Sequence, residues 1–150
     1  KSNSKPPTPK VKFPATHAIH AIYGLPRQFE NKLEDILGAE KTDELLEIGT
    51  TLAGRKYMQE KTGLPIELIN NWIEQADLLQ LPGMTGEIAW LLIEAGTKTL
   101  MEMRKIDDYV VHEKLARINE TYNLSTKLPG RELLRQWQET AKKATIIFDM

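Results

Sequence analysis

The sequence contains no cysteine among its 150 residues. This absence excludes disulfide bonds, metal sites with thiolate ligands and catalysis by a thiol nucleophile. It also favours a reducing compartment, the cytoplasm or the interior of an organelle. Long apolar runs are absent as well, since the longest, Ile88–Ile93, has six residues before Glu94 interrupts it. A membrane-spanning helix needs about 20 apolar residues, so we expect a soluble protein with no membrane span.

Histidine is scarce, with three in the chain. His17 and His20 have the i, i+3 spacing that can present two metal ligands on one helical face, but no third ligand follows nearby in the sequence. Asp107-Asp108 is typical of the start of a helix, and no nucleophile stands beside a base in a familiar pattern. We therefore expect no catalytic residues, no metal and no cofactor, and a protein that is not an enzyme.

Charge is unevenly distributed along the chain. Residues 1–16 carry four lysines and no acid, whereas the remainder holds sixteen basic and twenty-one acidic residues. Pro6-Pro7-Thr8-Pro9 favours an extended polyproline II path. We interpret residues 1–16 as an extended tail, either a solvated linker or a segment that docks on a partner. The docking residues would be Lys5, Pro6, Pro7, Pro9, Lys10 and Lys12. The first residue is Lys1 rather than a methionine, and we expect a processed or excised form.

The rest of the sequence has the 3.6-residue apolar period of α-helices, and two stretches of it resemble each other. Glycine turns begin them at Gly24 and Gly83, and each ends in a helix with a central tryptophan, Trp72 and Trp137. The turns are 59 residues apart and the tryptophans 65. We predict an all-α domain over residues 17–144, made of two packed units at about 17–80 and 81–144. Residues 145–150 form a C-terminal tail.

The two turns resemble a degenerate form of the helix-hairpin-helix motif. In that motif a Gly-hydrophobic-Gly turn brings backbone amides close to a phosphate. Here the first two positions are Gly24-Leu25 and Gly83-Met84, with Leu25 and Met84 as core anchors. Proline at the third position of the first turn, Pro26, has no amide hydrogen to donate, whereas Thr85 keeps its amide and Gly86 follows it. The turns either organise the helices or bind phosphate, and in the second case the positive charge would come from Arg27, Lys32, Arg55 and Lys56.

Several stretches in order carry a resemblance to a known family: Ile22-Tyr23-Gly24-Leu25-Pro26, Ala53-Gly54-Arg55-Lys56, Asn71-Trp72, Leu81-Pro82-Gly83, Glu94-Ala95-Gly96, Leu128-Pro129 and Trp137 through Lys143. Together they resemble an uncharacterised family of tandem helix-hairpin-helix domains, the domain of unknown function 4332, over about residues 17–144. The sequence departs from that pattern at the second glycine of each turn and at Glu30, where a small residue is typical. The resemblance implies an all-helical tandem fold and no established catalytic activity.

These features lead to two hypotheses about function. The first is a non-enzymatic interaction or scaffold domain that docks a protein partner. The alternative is a domain that binds nucleic acid by its structure rather than its sequence, through the turns. A mildly acidic body favours the first, because nucleic-acid-binding domains usually carry a basic face. The sequence leaves the oligomeric state open.

Overall fold

The computed structural model describes residues 5–6 and 15–144, and these form eight α-helices and one 3₁₀ turn, Ile19–Ala21. The prediction of an all-α fold is confirmed. Within the described ranges, β-type pairing is limited to one isolated antiparallel bridge between Ala18 and Lys41. The helices are α1 Arg27–Leu37, α2 Thr42–Gly49, α3 Leu52–Thr62, α4 Ile66–Leu78, α5 Gly86–Glu94, α6 Leu100–Met103, α7 Asp108–Tyr122 and α8 Arg131–Lys143.

Local sequence signals set most helix ends. Thr51, Thr85 and Thr99 each accept a backbone N–H with the side-chain oxygen at the start of a helix. At the other end, α1 and α3 stop at Gly38 and Gly63, both in the left-handed region. The stops at Gly38 and Gly63 are the ones that glycine predicts at these positions, and of the threonine pairs 50/51 and 97/99 the structure uses Thr51 and Thr99 as caps. One boundary differs, because Lys41 rather than Thr42 is the residue before α2. The hydroxyl of Thr42 instead accepts a bond from the His17 backbone.

The same three helix pairings occur in both halves of the fold. In the first half α1 packs on α3, α2 on α4, and α3 on α4; in the second half α5 packs on α7, α6 on α8, and α7 on α8. The halves meet where α4 packs against α5. Buried apolar residues from Ile19 to Ala141 form one continuous cluster, which includes Trp72 and Trp137 as predicted. Both halves therefore share one core.

Helix α4 lies at the centre of this core. Every residue from Trp72 to Leu81 is buried, including Glu74, Gln75, Asp77 and Gln80. Gln75 holds the segment that enters the first turn, because its Oε1 accepts the Tyr23 N–H at 2.7 Å and its Nε2 donates to the Tyr23 carbonyl at 2.9 Å. Helix α4 thus fixes the position of the first turn as well as the interface between the halves.

The tails are described only in part. Lys5 and Pro6 have neither helical nor strand structure, and Lys5 is exposed. The remaining predicted docking residues, Pro7, Pro9, Lys10 and Lys12, lie outside the described residues, as does the C-terminal tail 145–150. Among the described residues, no helix is both long and apolar enough to cross a membrane.

Candidate docking site at the second turn

The two glycine turns have the same local geometry. Gly24 has a φ of 79° and Gly83 a φ of 80°, a conformation that side-chain-bearing residues rarely adopt. An added Cβ would meet nothing within 4 Å at either position, so the turns face open space. The anchors behave as the motif requires, with Met84 buried and Leu25 partly buried against the core.

Thr85 and Pro26 hold equivalent positions at the ends of the two turns. Pro26 is exposed and precedes α1 without a side-chain cap. Thr85 caps α5, because its hydroxyl accepts the Ile88 N–H at 3.2 Å. Thr85 therefore serves as the N-cap of α5.

Gly86, the first residue of α5, has a different environment from the turn glycines. It is buried, and a Cβ at this position would collide with the Ala21 carbonyl oxygen and approach the Tyr23 nitrogen to 2.7 Å. The start of α5 therefore lies directly on the backbone that leads into the first turn. Close backbone packing explains this glycine, and it brings the two turn regions of the fold next to each other.

A cavity opens beside the second turn, and we refer to it as the turn cavity. It has a volume of about 250 Å³, and its wall comes from the turn, α5, the α7–α8 loop and α8. The lining residues are Gly83, Thr85, Ile88, Ser125, Lys127, Leu128, Pro129, Leu133 and Trp137. Most of these side chains are apolar. Among the described residues that line the cavity, Lys127 is the one that carries a charge.

Trp137 forms the floor of this cavity. It is 2% exposed, and its indole Nε1 donates to the Pro82 carbonyl at 2.7 Å. Pro82 directly precedes Gly83, so the hydrogen bond ties α8 to the second turn. The one polar group of the indole is therefore satisfied, and the ring itself is packed in the core.

The α7–α8 loop, residues 123–130, provides the opposite wall. Asn119 holds this loop, since its Oδ1 accepts the Leu124 and Ser125 N–H groups at 2.9 and 3.2 Å, and its Nδ2 donates to the Ser125 carbonyl at 2.8 Å. The Ser125 hydroxyl then donates to the Lys127 carbonyl at 3.0 Å. In the first half the corresponding α3–α4 connection is residues 63–65 alone. The longer loop gives the second half a wall that the first half lacks.

The four predicted phosphate contacts differ in environment. Arg27, Lys32 and Lys56 are exposed, and the Lys32 ammonium donates to the Thr62 carbonyl at 3.3 Å. Arg55 is 3% exposed, and its Nη1 donates to the Gly49 carbonyl at 2.7 Å inside the fold. None of the four belongs to the lining of the turn cavity.

The two halves differ in charge. Residues 17–80 hold eleven acidic and six basic residues, against nine and ten in residues 81–144. The pKa of Glu34 is raised, mainly by the neighbouring Glu40 carboxylate and then by burial and Asp35. In the second half the Arg131 guanidinium hydrogen-bonded to Asp108 lowers the pKa of that carboxyl. The second half is thus the less negative of the two in composition.

A second group of polar side chains is buried between α4 and the start of α6. Burial raises the pKa of Glu74 to about 7 and that of Asp77 to about 6, with Lys98 and Arg55 partly opposing the shift at Glu74. Asp77 Oδ2 accepts the Leu100 N–H at 2.8 Å and Oδ1 accepts from Gln80 at 3.0 Å. These bonds join α4 to α6. We assign the group to the architecture of the fold rather than to ligand binding.

The two histidines with the i, i+3 spacing, His17 and His20, differ in environment. The His17 Nε2–H donates to the Leu79 carbonyl at 2.9 Å, whereas His20 is exposed. Within residues 5–6 and 15–144, no group of three or more histidine, cysteine or acidic side chains is arranged to hold a metal ion.

Sequence reasoning missed two elements of the turn cavity, the loop wall and its anchor Asn119. The difference in length between residues 63–65 and 123–130 is one available signal. Asn119 begins an Asn-Glu-Thr stretch with the pattern of a glycosylation acceptor, and that pattern carries no information about its hydrogen bonds to the loop.

These features define an all-helical domain with paired glycine turns and a cavity beside the second turn. Residues 24–144 match the family described as domain of unknown function (DUF4332), and the chain belongs to this family. This confirms the resemblance noted in the sequence. Comparison with curated proteins and with solved structures found no match.

Proposed function

We propose that this chain is a non-enzymatic interaction domain that docks a protein partner at the turn cavity. The observation that supports the proposal is the apolar cavity of about 250 Å³ with Trp137 at its floor. Energetically important contacts in protein interfaces concentrate in such pockets, and tryptophan is enriched among them. Ser125 and Lys127 are the polar residues of the α7–α8 loop that line the cavity, and interfaces commonly have such a polar rim.

We further propose that the two halves, 17–80 and 81–144, are copies of one helix-hairpin-helix-like unit. Three observations support this interpretation. The two halves share helix pairings, and Gly24 and Gly83 have matching φ angles. Each tryptophan is also the seventh residue of a thirteen-residue helix. In the proposal the first copy is mainly structural, and the second copy carries the docking site.

Nucleic acid is the alternative partner. It would contact the second turn from Gly83 to Gly86, with Arg27, Lys32 and Lys56 as the exposed cations. The burial of Arg55 and the acidic surface near Glu34 and Glu40 favour a protein partner instead. If duplex DNA were bound, the logarithm of the affinity would fall with the logarithm of salt by about 0.9 per neutralised phosphate.

The test is affinity capture from native extract, with and without nuclease, using paired leucine variants as bait. Leu133 lines the turn cavity. Leu68 provides the matched control, because it is the third residue of α4 and Leu133 is the third residue of α8. We expect Leu133→Glu to lose a nuclease-resistant partner that the wild type and Leu68→Glu retain. A third bait without residues 1–16 tests the tail separately. The proposal would be contradicted if nuclease treatment abolished recovery of the partner, or if the two glutamate variants captured it equally well.

A further inference from the structure

Helix α5 turns one narrow stripe of its surface to solvent. Gly86 and residues 88–89 and 91–93 are buried, whereas Glu87 and Glu94 are exposed and Trp90 is partly exposed. The last three residues follow the i, i+3, i+7 spacing of one helical face. An aromatic side chain therefore lies between two carboxylates on the open face of an otherwise buried helix.

Two tyrosines from other segments extend this face into an aromatic strip, by which we mean Tyr23, Trp90 and Tyr122. The ring centroids of Tyr23 and Trp90 are 5.9 Å apart, and those of Trp90 and Tyr122 are 4.9 Å apart, both in an edge-to-face arrangement. Tyr23 directly precedes the first turn and is partly exposed, and Tyr122 ends α7 and is 50% exposed. The strip thus joins three segments at the surface.

The polar ends of the strip are available to a ligand. Within the described part of the chain, the Trp90 indole N–H has no hydrogen-bond partner, whereas the Trp137 indole N–H donates to the Pro82 carbonyl. The Trp90 group is not a buried unsatisfied one either, since Thr50 carries the one such atom that the described side chains contain. The indole N–H therefore faces solvent and can donate to a carbonyl of a bound segment.

The carboxylates of Glu87 and Glu94 are also unpaired. Among the described residues, the acidic side chains that form ion pairs are Asp108 and Glu139. Seven positions separate Glu87 from Glu94, which corresponds to about 10 Å along the helix axis. Two unpaired carboxylates beside aromatic rings favour a cationic ligand, because both the carboxylates and the ring faces attract side-chain cations. The phosphates of a nucleic acid would be repelled at the same place.

A polyproline II segment with basic residues matches these features. This conformation has no internal hydrogen bonds, so its backbone carbonyls can accept the Trp90 indole N–H, whereas most carbonyls of an α-helix are already bonded. Its residues i and i+3 point in the same direction about 9 Å apart, which is close to the separation of the two glutamates. Proline rings between them would pack on the aromatic side chains, as they do in aromatic-lined grooves that bind proline-rich segments.

We propose that the aromatic strip binds a proline-rich segment of a partner protein in the polyproline II conformation. Basic residues three positions apart in that segment face Glu87 and Glu94. This inference goes beyond docking at the turn cavity, because the strip and its two glutamates share no residue with the cavity lining. Either surface can therefore be tested without the other.

The probe is N-acetyl-Pro-Arg-Pro-Pro-Arg-Pro-amide, with binding to the full chain followed by two-dimensional NMR. One control peptide has glycine in place of each proline, and the other has glutamate in place of each arginine. We expect the probe to shift the Trp90 indole resonance, which Trp90→Phe identifies, and to leave those of the buried Trp72 and Trp137 in place. The glycine peptide should bind about fivefold more weakly, because its flexible backbone must be ordered, and the glutamate peptide should not bind.

Substitutions in the strip and beside it separate the two kinds of contact. Tyr122→Ala removes one ring and should weaken binding of the probe about fivefold. Glu87→Gln combined with Glu94→Gln should weaken it by about the same factor and remove most of its dependence on salt. Tyr109→Ala is the matched control, because Tyr109 is 55% exposed at the other end of α7, and it should leave binding unchanged.

Three results would overturn the proposal. The first is the same response of the Trp90 resonance to all three peptides, whether a shift or none. The second is unchanged affinity for the probe in the double glutamine variant. The third is a Trp90 resonance that no peptide shifts but that deletion of residues 1–16 does shift, since the strip would then be covered by the chain's own tail.

Discussion

Gly86 shows how one missing side chain joins the two halves. Its backbone lies against the Ala21 carbonyl and the Tyr23 nitrogen, a separation that no Cβ tolerates without movement of the main chain. In the sequence it directly follows Thr85 at the second turn. The structure shows that it permits close packing of α5 on the segment before the first turn.

Gly86→Ala should therefore destabilise the fold strongly. Because the colliding atoms belong to backbone rather than to flexible side chains, we expect the free energy of unfolding to fall by about 2 kcal/mol or more. Gly130→Ala is the control, since nothing lies within 4 Å of a Cβ there and its φ is negative. Chemical denaturation of both variants measures the difference, and equal losses would contradict the packing role.

Glu74 is the other residue whose environment decides its behaviour. It is 8% exposed, whereas Glu139, at the same offset from its tryptophan, is exposed on α8. The pKa of Glu74 is raised to about 7 by burial, from about 4.3 in an unfolded chain. Between these values the folded state binds more protons than the unfolded state. The free energy of unfolding therefore falls as the pH rises from about 4.5 to 7.

Glu74→Gln should flatten this pH dependence. We expect the variant to be more stable than the wild type at pH 8 by about 1–3 kcal/mol, with the difference shrinking towards pH 5. Glu139→Gln should leave the profile unchanged, because its carboxylate is exposed and pairs only with Lys142 at the surface among its described contacts. Denaturation at a series of pH values tests this. The raised pKa of Glu74 would be contradicted by two results together. These are a wild type that is less stable at pH 5 than at pH 8, and a pH profile that Glu74→Gln leaves unchanged.

At the scale of elements, the α7–α8 loop determines whether the second half has a cavity. Its eight residues are held by one side chain, Asn119, which satisfies three backbone groups. Asn123, in the left-handed region with a φ of 51°, ends α7 before the loop begins. The loop is thus a fixed wall built from local hydrogen bonds.

Asn119→Ala should loosen that wall without unfolding the domain. Loss of the three bonds should cost about 1–3 kcal/mol and speed amide hydrogen exchange at Leu124 and Ser125. Asn31→Ala, on the exposed surface of α1, is the matched control. Exchange at residues 124–125 that is the same in both variants would contradict the role of Asn119.

The elements also separate what the sequence predicts from what it does not. Helix ends at Gly38 and Gly63, the cap at Thr51 and the burial of both tryptophans follow from local chemistry and periodicity, and all are confirmed. The environment of a polar residue depends instead on contacts far along the chain. Arg55 and Lys56 are neighbours in a basic stretch, yet one is buried and the other exposed. The turn cavity likewise requires three segments to meet, which no local pattern reveals.

At the scale of the whole molecule, the halves are equivalent in pairing but differ in charge and in the use of their turns. The first half is acidic and the second half nearly neutral in composition, and the turn cavity lies beside the second turn. The α4–α5 contact and the continuous core join them. This asymmetry is what assigns docking to the second half in our proposal.

A shared core predicts cooperative unfolding. Because Gly86 and α4 bind the halves to each other, we expect thermal melts followed by tryptophan fluorescence and by far-ultraviolet circular dichroism to coincide in one transition. A fragment of residues 81–144 should not fold alone. Two resolved transitions, or a stably folded fragment, would contradict the single core.

The most direct test of docking at the turn cavity is site-specific cross-linking in native extract. A photoreactive benzoylphenylalanine replaces Leu128 at the cavity in one variant and Leu52, exposed on α3, in another. We expect a discrete protein adduct from position 128, none from position 52, and loss of the adduct when Leu133→Glu is added. Equal adducts from both positions, or an adduct that persists with Leu133→Glu, would contradict docking in the cavity.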